Sequence, residues 1–370
     1  MEIKPLEPVI PEFITVHLGP PDSDAQNVTL PFDEYIKNVA SGEIYPTWNE
    51  NAIRANVYAQ ISYALNRVFL EFYRSKGYDF DITSTTALDQ SFSNGRNIFQ
   101  NVSDIVDDIF TSYIKRDGFL EPLAAKFCNG TTVTCDGLSQ WGSQELAEQG
   151  YSPYEILTYY YGDDIVLVED VPIQNIPESY PGYSLRLGDS GYYVSWAQNQ
   201  LNRVSVNYPA IPKINPVTGY FDENMRDAVI RFQEIFNLTP DGIIGRNTWY
   251  KLVYLYVGLS KLSEINSEGV LLENIPRPYP ESGANIAQFD NNVALIQYYL
   301  GVISLQYNTI PYIRVTGEMS EETVNAIKQF QKQSGLPQTG VVNDRTYHEM
   351  YRVYISIADY LQMQRDAIPI

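Results

Sequence analysis

Carboxylates are the side chains best placed to do chemistry in this chain, because the other common catalytic groups are scarce. There are two His and two Cys in 370 residues. His17 and His348 lie at opposite ends, with no supporting motif beside either. A His-rich zinc site, or a Ser-His-Asp or Cys-His arrangement, therefore has little to build on. One carboxylate is singled out by position. In 39-VASGEIYPTWNENAIRANVYAQISYALNR-67, Glu43 follows a small-residue turn and precedes the best helix of the chain. A carboxylate on a short connector between rigid elements is a common arrangement for general acid–base work. Ile44, Tyr45 and Trp48 would surround it with apolar groups. The plain alternative is a solvated loop glutamate.

The elements that must position Glu43 are readable on both sides. A helix is expected from near Pro31, with Phe32, Tyr35, Ile36 and Val39 on one face. Thr47-x-x-Glu50 has the form of a capping box for the next helix. That helix presents Ile53, Val57, Ile61, Leu65, Val68 and Phe72 as an apolar stripe.

The second half of the chain repeats itself. Asn175-Ile176-Pro177 returns as Asn274-Ile275-Pro276, Ile211-Pro212 as Ile310-Pro311, and Val217-Thr218-Gly219 as Val315-Thr316-Gly317. Phe232-Gln233 returns as Phe330-Gln331, and Asp241-Gly242 as Thr339-Gly340. This is a tandem duplication. Each copy reads as three short helices separated by glycine turns. The order LRLGDSG, then TGYFDENMRDAVIRFQ, then LTPDGIIGRNTW resembles the three-helix peptidoglycan-binding domain of cell-wall lytic enzymes. The second copy, about 286–358, departs at Thr339 and lacks the opening Gly-Asp-x-Gly turn. The Pro- and Tyr-rich segments 169–184 and 263–284 read as extended linkers.

The amino-terminal part carries a second resemblance. Tyr35, Val39, Glu43-Ile44, Trp48, Ala52-Ile53-Arg54-Ala55-Asn56 and Ser62-Tyr63-Ala64-Leu65 stand in the order of the stage II sporulation protein D and amidase-enhancer family. Asp89-Gln90-Ser91-Phe92, Gly137-Leu138-Ser139-Gln140-Trp141-Gly142 and Gly150-Tyr151 through Tyr160-Tyr161 continue it. The resemblance implies a lytic transglycosylase acting on peptidoglycan glycan strands. Glu43 would be its catalytic residue, and Trp48, Asp89, Gln90, Ser139, Gln140 and Trp141 would face substrate. Where the family has Arg-Thr in its helix, this chain has Ile61-Ser62. Where many members have a His before the Ser-Gln element, Thr134 or Cys135 falls. Some members hold zinc nearby, and here only Cys128 and Cys135 remain, in CNGTTVTC. A disulfide in an oxidising compartment, free thiols otherwise, or half a metal site are the three readings, with metal the least favoured.

Composition bounds the rest. The formal charge of −20 argues against nucleic acid or an anionic membrane as the main partner. No apolar run reaches membrane-spanning length, and the start, MEIKPLEPVIPEF, lacks the form of a signal peptide. Thirty Tyr favour contacts through aromatic surfaces. The expectation is an α+β domain over 1–168, with an extension over 1–30, then two small all-α three-helix domains with their linkers over 169–262 and 263–370. Peptidoglycan is the expected partner, no cofactor is expected, and the cell wall or spore envelope is the expected location, with synthesis in a mother-cell compartment as the family analogy. A non-catalytic wall-binding or spore-envelope protein on the same scaffold is the alternative.

Overall fold

The computed structural model describes residues 7–270 and 291–357, apart from 190, 191, 216, 218, 344, 348, 352, 355 and 356. His348 and the remainder of the 263–284 segment beyond 270 thus lie outside the described residues. Two compact units divide the chain. The first runs to Pro181 and takes in the stretch that starts at Tyr250; the second holds Gly182–Trp249 and the residues from 291 on.

The first unit mixes helices with short strands. In chain order it has β1 (Ile10–Pro11), β2 (Phe13–His17), β3 (Asn27–Pro31), α1 (Phe32–Glu43), α2 (Glu50–Phe69), β4 (Ile82–Thr83), α3 (Gln100–Ile109) and β5 (Tyr113–Arg116). After these come β6 (Phe127–Cys128), β7 (Leu138–Ser139), α4 (Gln140–Glu148), α5 (Pro153–Tyr161), β8 (Ile165–Val168) and β9 (Ile173–Gln174). The strands form four small sheets: β3-β2-β4, with β2 antiparallel to β3 and parallel to β4, and the pairs β5/β8 (antiparallel), β6/β7 and β1/β9 (both parallel).

α2 is the axle of this unit. The expected one-sided stripe proves to be burial on every side, since Asn56, Gln60, Ser62, Asn66 and Arg67 are as enclosed as Ile53, Val57, Ile61 and Leu65. The helix ends at Phe69, short of Phe72. Several, not all, of the polar side-chain atoms so enclosed find partners, and among the described residues both polar atoms of the Gln60 side chain have none. Ser62 Oγ donates to Tyr58 O at 2.6 Å and accepts from Ile114 N at 2.9 Å. Asn66 Nδ2 donates to Pro122 O and Leu262 O. The expected capping box at Thr47 does not form. A tight turn, closed by Trp48 N to Tyr45 O, consumes Thr47, and Asn49 caps the helix by accepting from Asn51 N.

Described residues of the two segments read as extended linkers are hydrogen-bonded into the first unit. Both the amide and the hydroxyl of Ser179 donate to the buried Glu71. Further along the chain, Ile265 O accepts from the Arg116 guanidinium, and Ser267 Oγ and Val270 N donate to the buried Glu121 at 2.7 and 2.9 Å. Val270 O accepts from Leu120 N, and Gly269, at φ +75°, leaves room for the Phe119 ring, which a Cβ would strike. Burial pushes the Glu121 carboxyl up, against the pull of those donors.

The two repeats bear out the helical reading. The first repeat has α6 (Tyr192–Asn207), α7 (Glu223–Ile235) and α8 (Arg246–Leu259); the second has α9 (Asn291–Ser304), α10 (Glu321–Gln333) and further helical residues at 345–347, 349–351 and 353–354. Asp222 and Ser320, equivalent in the duplication, cap α7 and α10 by accepting from Met225 N and Thr323 N. The repeated glutamines clamp the glycine turns. Gln198 accepts from Gly219 N and Gln297 from Gly317 N; Gln233 accepts from Gly242 N and Gln331 from Gly340 N. Asp241 and Thr339 play the same part, each accepting from the nearby glutamine and from the amide two residues on. The Asp-to-Thr difference therefore leaves the turn intact.

Candidate functional site

Glu43 is the last residue of α1, not a connector residue. It is half-buried. Phe32, Tyr35, Ile36, Val39 and Ala40 anchor the helix in the core, so its carboxyl-terminal end is held rigidly. Oε1 of Glu43 accepts from Ser91 N at 2.9 Å, and Oε2 accepts from Gln140 Nε2 at 3.1 Å. Two segments remote in sequence thus converge on one carboxylate. Gln140 is itself buried at the first turn of α4. Its backbone oxygen accepts from Ser143 Oγ at 2.6 Å, and that hydroxyl accepts from Asn56 of α2.

Gly42 has a role as definite as that of its neighbour. The Arg96 guanidinium lies over it, where a Cβ would overlap the side chain. Arg96 Nη2 reaches Ser91 Oγ at 3.4 Å, so the guanidinium flanks the loop that feeds Glu43 its first hydrogen bond.

An aromatic group adjoins the carboxylate. The rings of Tyr45, Trp48 and Trp141 are mutually in contact, with centroids 5.6, 5.7 and 5.0 Å apart. Tyr45 is 56% exposed and Trp141 37%, while Trp48 is half-buried and packs on the core. Tyr45 follows Glu43 by two residues and Trp141 follows Gln140 directly, so chain continuity places the rings beside the acid. Exposed aromatic faces held by a packed one are suited to the apolar faces of pyranose rings.

The remaining residues singled out from sequence do other work. Asp89 has a wholly buried side chain, ion-paired to Arg67 Nε at 3.0 Å. It also accepts from Tyr63 and Tyr73 hydroxyls, Thr83 N and Thr83 Oγ1. Burial, reinforced by that charge, pushes the Tyr73 phenol up. Gln90 is fully buried, taking a hydrogen bond from Tyr35 Oη at 2.9 Å and giving one to Gln60 O at 3.0 Å. Both side chains are enclosed. They pin the loop whose next amide, Ser91, meets Glu43. Ser139 is the cap of α4, accepting from Gly142 N at 3.0 Å. Of the expected set, then, the structure brings Glu43, Trp48, Gln140 and Trp141 together. The sequence reading missed the Ser91 amide and Arg96, and took Tyr45 only as an apolar neighbour. A backbone donor has no residue-type signature, though Ser91 stood inside a motif already singled out.

Cys128 and Cys135 are joined by a disulfide, with Cα atoms 6.1 Å apart. His17 is buried between Asn27 and Pro20, at 2.7 and 3.1 Å, and stacks on Phe80. With both thiols bonded to each other, these residues do not fit a zinc site. Among the described residues no group of three or more His, Cys, Asp or Glu could hold a metal, and no helix is long and apolar enough to cross a membrane.

No curated protein matches the chain. Residues 190–252 and 290–350 each match the family described as putative peptidoglycan binding domain, the two regions that the duplication and the glutamine clamps had already marked out. The carboxy-terminal part of the chain therefore carries two domains of the peptidoglycan-binding type.

Proposed function

We propose that the first unit is a lytic transglycosylase of peptidoglycan glycan strands, with Glu43 as its single acid–base, and that the two repeats hold it on the wall. The observation that carries this reading is the convergence of Ser91 N and Gln140 Nε2 on one carboxylate at a helix end, with the contacting rings of Tyr45 and Trp141 two residues and one residue along the chain from Glu43 and Gln140. One carboxylate is enough for this reaction. Glu43 protonates the glycosidic oxygen as the carbon–oxygen bond breaks, and then takes the proton of the sugar's own 6-hydroxyl as that oxygen bonds to the anomeric carbon. A 1,6-anhydro ring results without a water nucleophile, so no second flanking carboxylate is required, in contrast to ordinary glycoside hydrolysis. Tyr45, Trp48 and Trp141 would seat the sugar, and Gln140 would set the direction of the carboxyl. Action in a spore wall, made from the mother-cell side, is the setting that the sporulation-family resemblance suggests.

One observation favours a second reading, a non-catalytic wall-binding or spore-envelope protein. Both Glu43 oxygens already accept hydrogen bonds from the protein, so a glycosidic oxygen must displace or share one of them. Ile61, where the family has Arg, is a buried core residue and offers no charge in its place. Digestion of purified sacculi and of peptide-stripped strands, followed by mass spectrometry, separates the readings. Anhydro-muramic ends support the enzyme, reducing ends point to a hydrolase, and intact strands leave the binding protein.

A further inference from the structure

The two repeats share one scaffold but not one aromatic surface. In the first, four rings form a continuous file. Tyr183 is 50% exposed and meets Tyr193 edge to face at 6.4 Å. Tyr193 meets Trp249 at 5.9 Å, and Trp249 stacks on Trp196 at 4.3 Å with planes 11° apart. Trp249 is buried and supplies the base of the file, whereas Tyr193 and Trp196 are half-buried on adjacent turns of α6. The duplication puts Ser282, Asn292, Leu295 and Tyr347 at these four places in the second repeat. The file is thus absent there by sequence. What the second repeat has instead is a group of tyrosines between α9 and the helical residues that come after α10. Tyr299 and Tyr354 stack at 4.6 Å, and Tyr298, 48% exposed, meets Tyr354 at 5.7 Å. The first repeat has Gln200, Tyr256 and Asn199 at those positions.

Burying the aromatic body of a core needs no such file, since the glutamine clamps, helix caps and aliphatic residues are common to both repeats. An exposed Tyr and two half-exposed rings, held edge to face or stacked around a buried Trp, present aromatic surface in fixed orientations, which is what stacking on the apolar face of a pyranose requires. The occupant must also be one that a chain of formal charge −20 tolerates. Stacking and hydrogen bonding to neutral N-acetylated sugars meet that condition, and bulk attraction to an anionic wall does not. Three of the four rings lie within the first matched region, 190–252.

We infer that Tyr183, Tyr193 and Trp196, backed by Trp249, form a saccharide-stacking subsite for the glycan strand, and that the two repeats bind the wall non-equivalently. The inference rests on the peptidoglycan-binding reading of the repeats. It is tested in the full chain with Tyr183→Ser, Tyr193→Asn and Trp196→Leu combined, the residues that the duplication already places on the same scaffold. Purified sacculi are the probe, sedimentation is the readout, and circular dichroism checks the helices. The expected result is an about tenfold or greater loss of apparent affinity with helix content unchanged, as removing two or three stacking contacts implies. The single exposed change Tyr183→Ser, which cannot disturb Trp249 directly, should lose about two- to fivefold. Wild-type binding by a folded triple variant would overturn the subsite while leaving the peptidoglycan reading in place. Failure of the unaltered chain to sediment would overturn that reading and the subsite with it.

Discussion

Two carboxylates of this chain, Glu43 and Asp89, both stood in motifs that read as cleft residues, and their surroundings separate them. Asp89 is enclosed and saturated by an arginine, two phenols, a hydroxyl and an amide. Removing its charge would strand Arg67, which is 5% exposed and is ion-paired to Asp89. Asp89→Asn is therefore expected to destabilise the first unit by about 3–5 kcal/mol, as breaking a buried pair does. Urea unfolding would show it. Unchanged stability together with weakened glycan binding would instead assign Asp89 to substrate contact. A second residue-scale expectation concerns Glu121. Its folded carboxyl is pushed up by burial, so the folded chain holds that proton more readily than the unfolded chain does. Stability from this group is complete below the ordinary carboxylate range and falls as pH rises through its raised value. Glu121→Gln should flatten that part of the pH–stability profile, leaving the variant relatively better off at pH 7 than at pH 4. A profile unaltered by the substitution would show that Glu121 ionises in the fold without cost.

At the scale of elements, periodicity and caps were legible and enclosure was not. α1, α7 and α10 were readable from apolar spacing, and the duplication doubled the signal for the last two. The stripe of α2 misled because Asn56, Gln60 and Asn66 look like a solvated face until α1, α3, α4, α5 and β5 are known to surround them. The capping box failed for a local reason, since a turn before the helix took Thr47. The linkers failed for a remote one. Nothing in the sequence near Ser179 or Ser267 announces Glu71, 108 residues away, or Glu121, 146 residues away. Their docking makes a definite expectation about truncation. A fragment ending at residue 168 leaves Glu71 and Glu121 without these donors and removes β9, the partner of β1. A buried polar group left unsatisfied costs about 1–3 kcal/mol. The fragment 1–168 should therefore melt well below a chain that keeps 1–181 and 250–270 with the first repeat replaced by a flexible linker. Equal melting temperatures would show that the stitching contributes nothing.

At the scale of the whole chain, one candidate acid, Glu43, precedes two regions that match a peptidoglycan-binding domain family. Replacing Glu43 by Gln keeps size and shape but presents an amide to one of two donors, Ser91 N or Gln140 Nε2, and cannot give up and retrieve a proton. The decisive measurement is mass spectrometry of glycan released from purified peptidoglycan by the unaltered chain and by Glu43→Gln, with sedimentation run in parallel. The account predicts anhydro-muramic ends from the unaltered chain, an at least about hundredfold loss of them in Glu43→Gln, and equal sedimentation of both. Equal release of anhydro ends by the two proteins, or none by either while both bind, would contradict it.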